Sequence, residues 1–343
     1  MKVLIAANQV PFIAGGADIL TQGLVTACQQ AGHQVELLRL PFQFAPPASI
    51  DHAMNYCAGL DLTQPNGQSV DRLISLQFPL YGCQHPDHRV WLMHQHRGAY
   101  DLLSEQASAE EHGLAERIQR FDQQALTQVR ARYTIAANVS RRLQHYNGID
   151  SQPLYHPPAL ESHFYRADAL DYVFFPSRVE TLKRQWLLIE AAQYLRSPLR
   201  ILIAGDGGQL PACREQIERL GVGERIELMG RISDELKIAT YAHALGVFYG
   251  PQDEDLGYIT LEAMLASKPV VTCTDSGGPL EFVEHQHTGL VVEPKPQAVA
   301  AALDELWYDR ARAQRMGRAG LERYRSLQLS WNSVVNTLLQ DLA

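Results

Sequence analysis

Short apolar runs alternate with longer amphipathic stretches along most of the chain. The short runs have the length of buried strands, and the longer stretches repeat apolar residues at helical spacing, as in Leu182, Trp186 and Ile189. This alternation is typical of layered α/β domains built on parallel sheets. It predicts strands at residues 2–7, 34–40, 73–76, 90–93, 133–137, 152–155, 172–175, 200–204, 225–229, 246–249, 269–273 and 289–292.

Amphipathic segments between these strands are predicted to be helices. The first follows a glycine-containing turn at 12–16 and ends near Gly32, and later ones span 50–60, 115–128 and 139–146. The last segment begins with Ser330 as a candidate N-cap, and its apolar stripe at helical spacing must dock elsewhere on the protein: Trp331, Val334, Val335, Leu338, Leu339 and Leu342.

The strand and helix alternation occurs twice, and a polar, proline-containing stretch at 157–169 separates the two series. A chain of 343 residues is long enough for two domains that each bury a core. We therefore expect an N-terminal domain over 1–157 and a C-terminal domain over 158–329.

Composition places the chain among globular proteins, with 46% hydrophobic and 20% charged residues. No apolar run approaches the ~18 to 20 residues of a membrane span, and the first run, 1–7, is too short for the core of a signal peptide. We expect a cytoplasmic protein. The five cysteines are scattered without a Cys-x-x-Cys pair, so neither a disulfide framework nor a zinc site is indicated.

The net charge of −8 gives no overall attraction to nucleic acid or anionic lipid. One region of the N-terminal half is nevertheless basic. Its arginines are Arg117, Arg120, Arg130, Arg132, Arg141 and Arg142. The region is either a solvated face or a surface that binds an acceptor. Such an acceptor would carry phosphate or be associated with the inner face of the membrane.

Two carboxylates, Glu254 and Glu262, lie eight positions apart across a glycine-containing turn that opens a helix near Tyr258. The N-terminus of a helix suits a phosphate, because its backbone N–H groups and positive dipole end face outward. Carboxylates beside an anion are suited to holding hydroxyl groups, such as those of a sugar and a ribose. The pattern therefore suggests a nucleotide-sugar site.

Two cations, Arg178 and Lys183, follow the strand at 172–175, at the edge where parallel α/β sheets bind ligands. Together they could neutralise a departing diphosphate, although surface cations are common. Glycine turns at 15–16 and 205–207 also follow strands. They are either plain turns or places where the backbone approaches a ligand, and neither is a full dinucleotide fingerprint.

Taken together, these motifs resemble the family-four (group 1) retaining glycosyltransferases. The resemblance runs from about residue 172 to 294, and the N-terminal half matches more loosely through Gly15-Gly16 and His94. The matching segments are Arg178 to Lys183, the Gly205-Asp-Gly207 turn, Glu254-x7-Glu262 with Leu-Glu262-Ala-Met, Lys268-Pro-Val-Val and Gly277-Gly-Pro-Leu-Glu281.

This resemblance implies the GT-B fold: α/β, with two Rossmann-like doubly wound parallel-sheet domains, an interdomain cleft, and a last helix, 330–343, that completes the N-terminal domain. It implies four catalytic residues, with Arg178 and Lys183 on the diphosphate, Glu254 on the donor sugar and His94 beside the reacting sugar; His96 is a competing candidate. Base recognition is expected near Gly230 and Arg231. The implied donor-binding set is Gly15, Gly16, Gly205, Gly207, Arg231, Gly257, Tyr258, Ile259, Thr260 and Glu262, with Glu262 on the ribose.

The chain departs from the family pattern at two places. Asp255-Leu256 stands where a Gly-Phe pair is frequent, and Arg184 follows Lys183 where glycine is usual. Asp255 beside the donor sugar leaves the identity of that sugar open.

The implied activity is transfer of a sugar, with retention, from a UDP- or GDP-type nucleotide sugar to a hydroxyl of a glycan or glycolipid intermediate of surface polysaccharide synthesis. We expect no tightly bound cofactor and no metal, because the cationic pair can neutralise the charge that a divalent ion would neutralise. A GT-B epimerase or phosphorylase and a non-catalytic sugar-nucleotide-binding subunit remain alternatives. A nicotinamide oxidoreductase is the weakest, since the first strand-to-helix turn lacks its glycine fingerprint.

Overall fold

The computed structural model describes residues 1–12 and 15–341. The predicted turn at 12–16 includes residues 13 and 14, and the predicted apolar stripe ends at Leu342, so these parts lie outside the described residues. The described chain divides into two compact units. The N-terminal unit comprises Met1–His156 together with 330–341, and the C-terminal unit is Pro157–Leu329.

Within its described residues, the N-terminal unit contains a six-stranded, all-parallel sheet in the order β2-β1-β3-β4-β5-β6. Its strands are β1 Lys2–Gln9, β2 Gln34–Pro41, β3 Arg72–Ser75, β4 His88–Leu92, β5 Ala131–Thr134 and β6 Gln152–Pro153.

The described C-terminal unit contains a second six-stranded parallel sheet in the order β12-β11-β10-β7-β8-β9. Its strands are β7 Tyr172–Pro176, β8 Arg200–Ala204, β9 Ile226–Gly230, β10 Gly246–Phe248, β11 Val270–Cys273 and β12 Gly289–Val292.

α-Helices lie between most successive strands of both units, whereas β3–β4 and β11–β12 are joined by segments that contain only a short 3₁₀-helix. None of the α-helices that the structure describes combines the length and apolar content needed to span a membrane. In chain order they are α1 Gly16–Gln30, α2 Pro47–Gly59, α3 Ala109–Gln128, α4 Ala137–Asn147, α5 Gln185–Ala191, α6 Leu210–Leu220, α7 Asp234–His243, α8 Tyr258–Leu265, α9 Pro296–Tyr308, α10 Arg310–Ser326 and α11 Trp331–Leu339.

Each predicted strand overlaps an observed one, which confirms the two parallel-sheet series. Helices cover both faces of such a sheet, so an interior strand such as β11 is buried at every position. Strands of this kind are therefore apolar runs that can be recognised in the sequence. The strand predicted at 133–137 is placed too far along the chain: β5 ends at Thr134, and Ala137 already begins α4.

Helix α3 begins at Ala109, six residues before the predicted start at 115. Its start is set by a capping box, in which the Ser108 hydroxyl accepts from the Glu111 N–H at 3.2 Å and the Glu111 carboxylate accepts from the Ser108 N–H at 2.7 Å. The Ser-x-x-Glu spacing was present in the sequence. It was missed because this first turn carries charged rather than apolar residues.

The last helix, α11, docks inside the N-terminal unit. The Trp331 ring lies against α1 at Gly23, where an added Cβ would come within 2.3 Å of the ring, and it stacks on His156 at 5.2 Å between ring centroids. At the other end of α11, Arg89 donates to the Leu338 carbonyl at 2.9 Å. A cation is favourable there, because the last carbonyls of a helix carry its negative dipole end.

This contact gives a matched pair of glycine variants. Gly23→Ala places a methyl group where the Trp331 ring lies, so the free energy of unfolding should fall by about 1 to 3 kcal/mol. Gly59→Ala, in α2, meets no atom within 4 Å and should be neutral or stabilising. Urea unfolding of both variants measures the difference; a Gly23→Ala protein as stable as wild type would contradict the docking of α11.

A carboxyl group is buried in the N-terminal unit. Asp122, on α3, accepts hydrogen bonds from the Tyr81 hydroxyl at 2.5 Å and the Tyr100 hydroxyl at 2.7 Å. Burial raises the pKa of the Asp122 carboxyl to about 7, although the two hydrogen bonds act to lower it. The folded protein therefore holds a proton that the unfolded chain releases above pH 4.

The free energy of unfolding should consequently fall as the pH rises from 4 to 7, by up to about 1.4 kcal/mol per pH unit from this group. The Asp122→Asn variant should lose this contribution to the pH dependence of the free energy of unfolding. The Asp150→Asn variant, changed at an exposed position, should keep it. Urea unfolding at several pH values tests this, and equal slopes for wild type and Asp122→Asn would contradict the assignment.

Candidate active site

The strand order of the C-terminal unit reverses at β7. The chain runs from β7 to β8 and β9 on one side and returns to β10, β11 and β12 on the other. The loops that follow β7 and β10 therefore leave the sheet in opposite directions and open a crevice at its carboxyl edge. Residues 177–184 form the first loop and 249–257 the second, so Lys183 and Glu254 come from the two sides of this crevice.

Lys183 and Glu254 form an ion pair across the crevice, and their side chains are 16% and 17% exposed. The backbone of Glu254 is held at both ends, because its N–H donates to the Ser276 carbonyl at 2.9 Å and its carbonyl accepts from the Gly278 N–H at 2.8 Å. The Tyr249 hydroxyl also bonds to Glu254; burial, and then this negative charge, raise the pKa of Tyr249 well above its usual value. The carboxylate is thus fixed before any ligand binds.

A second ion pair lies beside the first. Arg184 binds Asp275 through two hydrogen bonds, Nη1 to Oδ1 at 2.8 Å and Nη2 to Oδ2 at 2.6 Å. Hydrogen bonding to Asp275 is the main cause that raises the pKa of Arg184. The Asp275 carbonyl accepts from the Asp253 N–H at 2.9 Å, so this pair ties the loop after β7 to the segment that carries Glu254.

The backbone at Arg184 explains why glycine is usual at this position. Its φ is 58°, in the left-handed region that side chains with a Cβ occupy at a cost of about 1 to 2 kcal/mol. The bidentate contact with Asp275 offsets that cost. The departure from the family pattern is therefore accommodated locally.

Gly205 and Gly207 have a packing role. An added Cβ at Gly205 would lie 1.8 Å from the Ser177 carbonyl oxygen, and one at Gly207 would lie 2.4 Å from that of Val179. The turn after β8 thus packs directly on the backbone that flanks Arg178. Arg178 itself is exposed, and its carbonyl accepts from the Gln185 side chain at 2.8 Å.

Helix α8 begins as predicted. Its N-cap, Gly257, has φ 85°, and the helix starts at Tyr258 with Ile259 half-buried beside it. Thr260 is fully buried, and its N–H donates to the Gly257 carbonyl at 3.0 Å. The Thr260 side chain therefore points into the unit. Thr260 could contact a nucleotide sugar only through its backbone.

Glu262 has two partners that the sequence did not reveal. Its Oε1 accepts from Lys237 Nζ at 3.1 Å and its Oε2 from the Tyr241 hydroxyl at 2.7 Å. Lys237 and Tyr241 lie four residues apart on α7 and so share one face. That spacing was visible, but nothing in the sequence linked α7 to α8.

Two acidic neighbours flank Glu254. Asp253-Glu254-Asp255 reads as Asp-x-Asp, a spacing that the sequence argument for metal independence overlooked. Among the described residues, no group of three His, Cys, Asp or Glu side chains is placed to hold a metal ion. Arg231 is exposed just after β9, the edge strand, two strands from β7.

The other predicted site residues belong to the N-terminal unit. Gly15 is the N-cap of α1, and Gly16 is the first residue of that helix. The Gly15 N–H donates to Asp18 Oδ2 at 3.1 Å, while Asp18 Oδ1 pairs with Arg39 at 2.7 Å. A Cβ at Gly15 would meet no atom within 4 Å, so packing does not require glycine there.

His94 follows β4 and is half-buried. Its Nδ1 lies 2.7 Å from the Gln95 carbonyl oxygen. Because a carbonyl can only accept, Nδ1 is the donor in this contact.

The competing candidate, His96, lies in an aromatic cluster. Its ring centroid is 5.1 Å from that of Phe78 and 6.3 Å from those of Phe42 and Phe44. Burial, and then the charge of His94, lower the pKa of His96 to about 4. His96 is therefore a neutral packing residue at pH 7.

The arginine-rich region has structural partners at several positions. Arg117 pairs with Asp51 through two contacts of 2.9 Å, and Arg132 donates to the Leu126 carbonyl at 3.1 Å near the end of α3. Arg142 is buried. These three side chains therefore support the fold, which favours the plain structural interpretation for this part of the region.

The left-handed backbone at Arg184 gives a prediction that compares two variants. Both Arg184→Gly and Arg184→Ala lose the contact with Asp275, but only glycine adopts φ 58° without strain. Arg184→Gly should therefore be more stable than Arg184→Ala by about 1 to 2 kcal/mol. Urea unfolding measures both, and equal stabilities would show that the backbone is not left-handed there.

Comparison with known proteins identifies sequences that are similar to this chain. Residues 166–323 match the model of the family described as glycosyl transferases group 1. The chain is 31% identical over 231 residues to a GDP-mannose-dependent alpha-(1-6)-phosphatidylinositol monomannoside mannosyltransferase of Mycobacterium tuberculosis (strain ATCC 25618 / H37Rv), covering 62% of this chain and 59% of that protein. It is 28% identical over 163 residues to the alpha-1,3/1,6-mannosyltransferase ALG2 of Homo sapiens, covering 43% of this chain and 39% of that protein. The matches thus span about two fifths to three fifths of these relatives.

Solved structures share the fold over almost the whole chain. The sucrose-phosphate synthase of Thermosynechococcus elongatus superposes with a TM-score of 0.77 at 17% identity, over 99% of this chain and 97% of that one. Anabaena Alr3699/HepE, solved with UDP and glucose, superposes with a TM-score of 0.74 at 16% identity, over 100% of both chains. The GT-B fold expected from the motifs is confirmed, and residues 166–323 of the chain match the glycosyl transferases group 1 family.

Proposed function

We propose that this protein transfers a sugar from a nucleoside diphosphate sugar to a hydroxyl acceptor, with the crevice at the strand reversal of the C-terminal unit as the donor site. The observation that carries this proposal is the Lys183–Glu254 ion pair, in which Glu254 lies three residues before the N-cap of α8. A cation, a fixed carboxylate and a helix N-terminus are thereby combined at one edge of the sheet.

Lys183 and Arg178 bind the diphosphate. The Lys183 ammonium has three N–H donors and gives one to Glu254, which leaves two for phosphate oxygens. The exposed Arg178 guanidinium adds a fork-shaped donor from the start of the same loop. These groups, with the start of α8, stabilise the negative charge that develops on the departing diphosphate.

Glu262 binds the ribose. Lys237 and Tyr241 each occupy one lone pair of its carboxylate, and each oxygen retains another for a ribose hydroxyl. Because these partners hold the carboxylate in place, little rotamer entropy is lost when the ribose binds. Glu254 contacts the donor sugar, and Arg231 lies near the base.

The donor is a UDP- or GDP-type sugar. The mycobacterial relative is named as GDP-mannose-dependent, and the Anabaena structure contains UDP and glucose. The acceptor is a glycan or glycolipid intermediate bound by the N-terminal unit, with His94 beside the reacting sugar. The phosphatidylinositol monomannoside in the name of the relative supports this acceptor class.

The reaction retains the anomeric configuration without a metal. The acceptor oxygen forms a bond to C1 on the face from which the phosphate oxygen departs, and the phosphate oxygen takes the acceptor proton. No side-chain nucleophile is needed, because the leaving group itself acts as the base. Lys183 and Arg178 supply the charge neutralisation that a divalent ion supplies elsewhere.

Calorimetric screening against common nucleoside diphosphates and their sugars tests the donor site. Lys183→Met and Glu262→Gln should each weaken the best ligand by about 10- to 100-fold, as loss of a charge-assisted hydrogen bond predicts. Arg200→Met and Glu227→Gln remove members of an exposed ion pair at the opposite edge of the sheet and should bind as wild type does. Wild-type affinity in both site variants would end the assignment.

Metal independence is tested separately, by measuring transfer with and without a chelator. The rate in EDTA should equal that in magnesium. Loss of activity in EDTA with recovery in magnesium would instead implicate the Asp-x-Asp at 253–255. The anomeric configuration of the product, read by NMR, decides between retention and inversion.

A further inference from the structure

A small cavity lies in the C-terminal unit, away from the crevice. Its volume is 180 Å³, and its walls are the segment 166–169, the loop 267–269 and the start of α10. The loop 267–269 leads into β11, and the segment 166–169 precedes β7. The cavity therefore lies at the amino edge of the sheet, opposite the carboxyl edge that carries Lys183.

Lys268 is the central group of this cavity. It is only 4% exposed, and its Nζ donates to the Ala167 carbonyl at 3.0 Å. A carbonyl carries no net charge, and burial of an ammonium without a counter-charge is unfavourable. In keeping with this, burial, and then the charge of Arg166, lower the pKa of Lys268 to about 8, while Asp168 acts in the opposite direction.

A second buried polar group lies next to it. Ser267 is 5% exposed, and its hydroxyl lacks a hydrogen-bond partner among the described residues. Buried hydroxyl groups are ordinarily hydrogen-bonded, so an unpartnered one in a cavity wall is available to bond a ligand. Ser267 and Lys268 thus present donors that the protein itself does not satisfy.

The remaining charges leave the cavity positive. Arg166 and Arg310 line the cavity together with Lys268. Two carboxylates are nearby: Asp168 lies in the wall, and Asp171 pairs with Arg310. Three cations therefore face two carboxylates. One of these cations, Lys268, is buried without an ion-pair partner in the described part of the chain.

We propose that this cavity is a binding site for a small oxyanion of the phosphate class, held by the Lys268 ammonium and the Ser267 hydroxyl. The volume limits the ligand, since 180 Å³ is below the ~300 Å³ at which sites for larger molecules begin. A phosphate or sulfate group fits, and a nucleoside diphosphate sugar does not. The site is separate from the donor crevice and does not depend on the proposed transfer reaction.

Titration calorimetry of the full chain with inorganic sulfate and inorganic phosphate tests the proposal. The wild type should bind one equivalent, Lys268→Met should weaken binding at least tenfold, and Ser267→Ala should weaken it severalfold. Lys295→Met removes an exposed lysine that pairs with Glu293 and should leave the affinity unchanged. Thermal unfolding of each variant verifies that the fold is retained.

Lys183→Met separates this cavity from the donor crevice. It should keep full sulfate binding, whereas Lys268→Met should lose it. The reverse result, or no binding by the wild type, would overturn the proposal.

The anion could be free or part of a lipid headgroup, and sedimentation with vesicles distinguishes these sources. Vesicles of phosphatidylcholine with phosphatidic acid that retain the wild type but not Lys268→Met indicate a headgroup. Retention of neither, together with sulfate binding, indicates a free ion.

Discussion

The ion pair between Lys183 and Glu254 joins the two loops that diverge where the strand order of the C-terminal unit reverses. Such a reversal opens a crevice in any doubly wound sheet, but here its two sides are also held together by the neighbouring Arg184–Asp275 pair. The Lys183–Glu254 pair is largely buried, and removal of one member from such a pair leaves an uncompensated charge. The loops are therefore ordered, with their charges satisfied, before a ligand arrives.

The two glutamates of the proposed donor site are also paired with cations. Two glutamates beside an anion site would repel a diphosphate if their charges were uncompensated. Each instead has a cationic partner, Lys183 for Glu254 and Lys237 for Glu262, so each carboxylate is neutralised locally while it retains acceptors for hydroxyl groups. The two glutamates and the two lysines thus form two ion pairs rather than a cluster of like charges.

The sequence predicted the fold well and the partners in the site poorly. Buried parallel strands such as β11 are continuous apolar runs, and this local signal located the sheets. The contact of Tyr241 with Glu262 and that of Arg184 with Asp275 join residues 21 and 91 positions apart, which only the folded chain brings together. Gly205 was interpreted as a ligand contact, but the structure shows a second reason for it in the Ser177 carbonyl, which leaves no room for a Cβ.

The N-terminal unit is built from both ends of the chain. Helix α11 returns to it after the whole C-terminal unit has been completed, and it is held there by Trp331 against Gly23 and by Arg89 at its last turn. The chain therefore passes between the units twice, once after His156 and once after Leu329. The apolar stripe predicted that the last helix docks on the protein, but it did not identify α1 as the partner. That contact depends on Gly23, which leaves room for the Trp331 ring.

The proposed function depends on the binding of a nucleoside diphosphate at the Lys183–Glu254 pair. A crystal structure of the protein with UDP or GDP tests it most directly. We expect a β-phosphate oxygen within about 2.7–3.2 Å of Lys183 Nζ and ribose hydroxyls bonded to Glu262. A nucleotide bound elsewhere, with neither Lys183 nor Glu262 in contact with it, would contradict the proposed donor site.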